Sequence, residues 1–205
     1  MDDLTWLCNW IKNNKTNVLN NALGIGTLDN PGWYLSVYLT ESFIEKKALS
    51  FIELDVSDHD WVRCFIKDQR FECPGGPENL SQILYCFRYW IENSDSNFNF
   101  FDKQNISANR YITALSAWFL SECNEDWEHC YGISIKTVRA DYWEISIDFE
   151  DTELEGEHLN SVEKKGNQDD WIYCYTEDNT FKGECGLLNL QEALAIFINW
   201  MRKRN

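Results

Sequence analysis

Residues 126–129 read Asp-Trp-Glu-His, followed by Cys130, Tyr131 and Gly132. A carboxylate beside an imidazole is the raw material of general acid–base catalysis, provided an orienting partner and a nucleophile or bound water stand nearby. Nothing at motif spacing supplies these. Read as a strand, the segment puts Trp127 and His129 on one side and Glu128 and Cys130 on the other, which splits acid from base. Three readings stay open: an enzyme using Asp126, Glu128 and His129, a structural hydrogen-bonding element, and a contact surface for another protein. Cys123, His129 and Cys130 approach metal-ligand spacing, but zinc needs a fourth ligand and no Cys-x-x-Cys pair occurs. The GIG at 24–26 lacks the rest of a dinucleotide fingerprint, and PGGPENL ahead of a helix reads as a turn plus cap. No catalytic residue, metal or cofactor is expected.

Charge narrows the class of partner. The chain has 205 residues and a net charge of −16. A nucleic-acid binder needs basic surface, and anionic membranes repel an acidic one, so neither is expected as a partner. The excess is uneven. Residues 1–92 carry thirteen acids against eight bases, and residues 107–205 nineteen against nine. DYWEISIDFEDTELEGE, at 141–157, holds eight acids and no base. On a strand, Glu144, Asp148 and Glu150 share the face opposite Trp143, with Asp151 next in line. That face is either simply solvated or a docking surface for a basic protein, a nuclease being one that must itself bind phosphates.

The elements that position these residues occur twice. Residues 57–92 set against 167–202, offset by 110 without a gap, are identical at eleven of thirty-six positions, Asp60/Asp170, Trp61/Trp171 and Asn79/Asn189 among them. The offset holds back to Trp33/Trp143 and slips by two before Trp10/Trp118. A tandem duplication explains this. The expected fold is α+β, two tandem modules, each an antiparallel sheet of about four strands flanked by an N-terminal and a C-terminal helix. The first module spans 1–92, a polar linker 93–106 and the second module 107–205. The two modules are expected to pack as an intramolecular pseudo-dimer.

Within each module, WYLSVYL and WEISIDF alternate, burying Trp33, Leu35, Val37 and Leu39 in one and Trp143, Ile145, Ile147 and Phe149 in the other. DNPGW reads as a hairpin turn. Asn79 with Gln82, and Asn189 with Glu192, read as capping boxes opening the last helices. Copies that build one core fill it at the same positions, so paired tryptophans and Cys64/Cys174 read as packing. Trp6, Trp127 and the histidines at 59, 129 and 158 have no counterpart, which marks them for function rather than fold. The N-terminus MDDLTWLCNW has acids where an export signal carries bases, and no apolar run follows. A cytoplasmic protein is expected, its eight cysteines free thiols.

CNEDWEHCYGI in the second module, TLDNPGW in the first and GGPENL before the last helix of the first together resemble the immunity protein 53 family of bacterial polymorphic toxin systems. The resemblance runs over essentially the whole chain, once per module. It implies a small protein that binds and neutralises a cognate toxin. The matching positions are Asp126, Trp127, Glu128, His129, Tyr131 and Gly132 in the second module. In the first they are Asp29, Asn30, Pro31, Gly32, Trp33, Gly75, Gly76, Pro77 and Asn79. Neither copy keeps the full set: the first has NKTNVLNNAL where the second has NEDWEHCYGI, and the second has TVRADYW in place of the DNPG turn. The expected toxin contacts are Asp126, Trp127, Glu128, His129, Glu144, Asp148, Glu150 and Asp151. An acidic inhibitor or adaptor of some other basic protein, acting by nucleic-acid charge mimicry, is the alternative.

Overall fold

A computed structural model describes residues 1–45, 52–93, 106 and 109–203, the side chains at 19–22 excepted. The first half runs α1 (Asp3–Asn13), β1 (Val18–Leu28), β2 (Gly32–Leu39), α2 (Glu41–Ile44), β3 (Ile52–Asp55), β4 (Trp61–Lys67), β5 (Arg70–Gly75) and α3 (Leu80–Glu92). The second runs α4 (Arg110–Glu122), α5 (Trp127–Cys130), β6 (Ile133–Val138), β7 (Tyr142–Asp148), β8 (Val162–Lys164), β9 (Ile172–Glu177), β10 (Thr180–Gly186) and α6 (Leu190–Arg202). The strands form one antiparallel sheet in the order β3-β4-β5-β2-β1-β6-β7-β10-β9-β8. Each half thus contributes five strands rather than about four. The added ones, β3 and β8, are short edge strands in which alternation cannot declare itself. The linker at 93–106 lies, apart from Asn93 and Ile106, outside the described residues.

Helices cover one face of the sheet and leave the other open. The alternation in β2 and β7 sets the covered face: Trp33, Leu35, Val37 and Leu39, with Trp143, Ile145, Ile147 and Phe149, are all buried. α3 and α6 lay Leu80, Ile83, Leu84 and Phe87, and Leu190, Ala193, Leu194 and Phe197, against them at helical spacing. Two tight turns recur: Asp68-Gln69 and Asp178-Asn179 each take positive φ at both residues, the geometry whose twist suits a two-residue hairpin.

Asn79 and Asn189 stand where a helix cap should, yet neither side chain caps its helix. Each carbonyl oxygen instead accepts the N–H of Trp61 or Trp171, at 3.0 and 3.1 Å, and each amide donates to Asp60 or Asp170 at 2.9 Å. The asparagine ties the start of a strand to the start of the helix, which explains its matched recurrence with the Asp-Trp pair. Cysteine chemistry also departs from expectation. Cys64 and Cys73, on neighbouring strands β4 and β5, are disulfide-bonded, their Cα atoms 4.2 Å apart. In the second half Gly183 faces Cys174 at the equivalent place, so that thiol has no opposite sulfur.

The halves meet along β1 and β6. Ile25 pairs with Ile135, flanked by Gly24 opposite Lys136 and Gly26 opposite Ser134, so the register is centred on equivalent residues. Beyond each end of the ladder a threonine continues it: Thr27 Oγ1 accepts from Ile133 N at 2.9 Å, and Thr137 Oγ1 from Leu23 N at 3.2 Å. Above the sheet, α1 meets α6 and α3 meets α4. Gln191 Oε1 there accepts from Asn109 Nδ2 at 2.8 Å and from Thr5 Oγ1 at 3.3 Å.

Candidate partner-binding surface

The Asp-Trp-Glu-His segment is a single helical turn, α5, not a strand, and the sidedness expected of it changes accordingly. Its folding is local. Asn124 Oδ1 accepts from the N–H groups of Asp126 and Trp127 at 3.0 and 2.9 Å. Glu128 reaches back, its two oxygens accepting from Asn124 N at 2.9 Å and Glu125 N at 3.1 Å. Such reciprocal pairing satisfies donors that a helix start leaves orphaned. Burial pushes the Glu128 carboxyl up, but the backbone N–H groups of Glu128, Asn124 and Glu125, with His129 beside them, hold it below the usual range.

Burial then sorts the four residues. Trp127 is 2% exposed, edge-on to Trp118 at 5.9 Å, and its indole N–H donates to Glu150 O at 2.8 Å. Glu128 is 5% exposed, while Asp126 and His129 face solvent. The acid and the imidazole of a catalytic pair are therefore employed differently, the carboxylate being spent on backbone donors. Trp6, the other unmatched tryptophan, is also in the core, stacked on Trp10 at 6.2 Å. Absence of a counterpart signals here a packing solution private to one half.

The acidic strand lies as expected on the open face, but it is not unpaired. Glu144 holds Lys136 at 2.7 Å. Asp148 accepts from Gly132 N at 3.2 Å and Thr180 Oγ1 at 3.1 Å, and Glu150 accepts from Asn179 Nδ2 at 2.8 Å. Asp151 is exposed with φ of 57°, close enough to Tyr131 that, after burial, it helps push that phenol up. Trp127 links the α5 turn to the end of the acidic strand through its bond to the Glu150 backbone oxygen, and Glu144 lies further along that strand on the same face as Asp148. A second acidic hollow, of about 420 Å³, has Glu122, Glu153 and Glu157 around Trp118 and Met201.

The halves meet differently on the two sides of the β1–β6 ladder. On one side a groove of about 590 Å³ runs between them. Asn30, Pro31 and His59 of the first half form one wall; Leu120, Cys123, Asn124, Glu125 and His129, with Glu128, form the other. Sequence reasoning placed His59 and His129 among unmatched residues without bringing them together. On the opposite side the equivalent positions are ion pairs. Lys12 meets Asp169 at 3.0 Å and Lys15 meets Asp141 at 3.1 Å. By the offsets of the duplication, Lys12 corresponds to Leu120, Lys15 to Glu125, Asp141 to Pro31 and Asp169 to His59. One seam is latched and the other is open.

Thiol chemistry has little footing in the groove, because burial first, then Glu128 and Glu122, push the Cys123 thiol up to about 12. Among the described residues, Cys64, Cys73 and Cys86 place three sulfurs within 4.8 Å of one another, all buried, and two of these are already bonded together. No described helix is long and apolar enough to cross a membrane.

No curated protein and no solved structure matches this chain. The model of the family Immunity protein 53 matches it twice, over residues 4–92 and 112–202. Each match takes in one complete set of five strands with its last helix and most of its first. The chain belongs to the immunity protein 53 family, as two tandem copies.

Proposed function

We propose that this protein neutralises a cognate bacterial toxin by direct stoichiometric binding, without catalysis, through the acidic surface of its second half. The observation that carries the reading is an immunity-family chain whose second half holds nineteen acids against nine bases. Asp126, His129 and Asp151 are exposed and suited to direct contact. Trp127 and Glu128 hold the ledge that presents them. Glu144, Asp148 and Glu150, already partnered within the chain, supply field more than new bonds, steering a basic toxin inward. A nuclease domain, which must carry positive charge to bind phosphates, is the toxin class such a surface fits. The two copies, centred on Ile25 and Ile135, are proposed to act as an intramolecular pseudo-dimer.

Co-expression with the toxin domain encoded beside this chain tests the proposal. Rescue of growth and co-purification of the pair are expected. Toxicity that persists beside soluble, folded protein would sink the immunity reading. Within a confirmed complex, reversing Glu144, Asp148 and Glu150 to lysine is expected to slow association several-fold at low salt and to matter little at high salt.

A further inference from the structure

Duplication built two equivalent seams, and only one is closed. In the closed seam the chain's own Lys12 and Lys15 sit against Asp169 and Asp141. In the open seam both latches are gone, and the position of Lys15 is taken by an acid, Glu125. Among the described residues, no lysine or arginine lines the groove. Glu125 and Asp126 stand exposed at its edge, without a cation among the described residues, and Asp29 and Asp58 are exposed beyond its other wall. Arg63, which lines the adjoining hollow behind Asn30, Pro31 and His59, is held by Glu53 at 2.9 Å and Asp55 at 3.5 Å. The groove therefore occupies the counterpart of the latched seam without its cations.

The walls come from different halves, and each half supplies what the other lacks. The first contributes its Asn30-Pro31 turn and His59; the second contributes the α5 ledge with Glu125 and His129. Their equivalents in the closed seam are a turn carrying Asp141, the loop residue Asp169, the helix end carrying Lys12, and Lys15 in the turn just beyond it. A groove of about 590 Å³ accommodates one or two long side chains and their loop, but not a folded domain.

Resting on the immunity reading above, we infer that this one open seam is the toxin-binding site. It takes a lysine- or arginine-bearing loop of the toxin, in the place that the chain's own lysines occupy in the closed seam. One chain binds one toxin, because the second seam is filled from within. Charge complementarity selects a basic loop over an apolar or acidic one. His59 and His129, both lining the groove, add donors and acceptors for the loop backbone.

Titration calorimetry tests this with the full chain and the toxin domain encoded beside it, purified from the co-expressed complex. The unaltered chain should bind with a stoichiometry of one. Replacing Glu125→Lys with Asp126→Lys, both exposed, should weaken binding at least thirtyfold at low salt while leaving the thermal midpoint in place. Exchanging the closed latch, Lys15→Asp with Asp141→Lys, keeps an ion pair and should change affinity less than threefold. A groove variant that binds within threefold of the unaltered chain, or a stoichiometry of two toxins per chain, overturns the inference while leaving the immunity reading intact. Failure of the unaltered chain to bind or rescue removes that reading, and this inference with it.

Discussion

Trp127 and Glu128 look like contact residues in the sequence but are buried framework in the fold. Trp127→Ala empties a place packed by Trp118, Phe119 and Tyr131; the expected loss is about 3–5 kcal/mol of stability, read by chemical denaturation. Glu128→Gln leaves two backbone donors short of a charged acceptor, a loss of about 1–3 kcal/mol at neutral pH. The sign of its pH dependence follows from its depressed pKa. The Glu128 contribution is complete above its ordinary value of 4.5 and is lost as pH falls through the lower folded value. Denaturation curves of the variant and the unaltered chain should therefore converge in acid. Sequence alone could not separate these roles. A one-turn helix is too short to show a period, and only the tertiary bond from Trp127 to Glu150 reveals which way the indole turns. Asn79 and Asn189 were legible as important, since both copies keep them, but their side chains bond to a strand start rather than cap the helix N–H groups, and of the two only Asn189 also reaches its helix, donating to the Glu192 side chain at 3.2 Å.

At the scale of elements, alternation in WYLSVYL and WEISIDF and helical spacing in the last helices were enough to name the covered face. The short edge strands were not legible, and neither was the junction, because β1 carries Gly24 and Gly26 where a central strand is expected to carry bulky residues. The reason for one of them is steric. A Cβ on Gly26 would lie 2.7 Å from the Tyr34 ring and 2.9 Å from Ile133 O, the backbone of the other half. Gly26→Ala should thus pry at the junction itself, visible as faster amide exchange at Ile133 and Ile135 than in the rest of the sheet. Thr27→Val and Thr137→Val each delete one bond across the same junction. Each is expected to cost about 1 kcal/mol, measured by thermal or chemical unfolding.

For the whole molecule, the duplication could be read from the sequence, but the single sheet could not, because no intra-strand pattern states which edges join. The ladder makes a specific forecast. Residues 107–205 expressed alone would leave β6 as a bare edge with a register able to pair with itself about Ile135, so a dimer or larger assembly is expected by light scattering. A stable monomer with native-like amide protection would show that the junction adds little. The unlike seams also bear on descent. In an assembly of two identical chains, any substitution appears on both sides of the axis, so no mutation can close one cleft and keep the other. Once both copies lie on one gene, each side is inherited separately: a lysine can be gained on one and an acid kept on the other. Fusion thereby lets selection change one cleft alone, while the latched side keeps the scaffold in register.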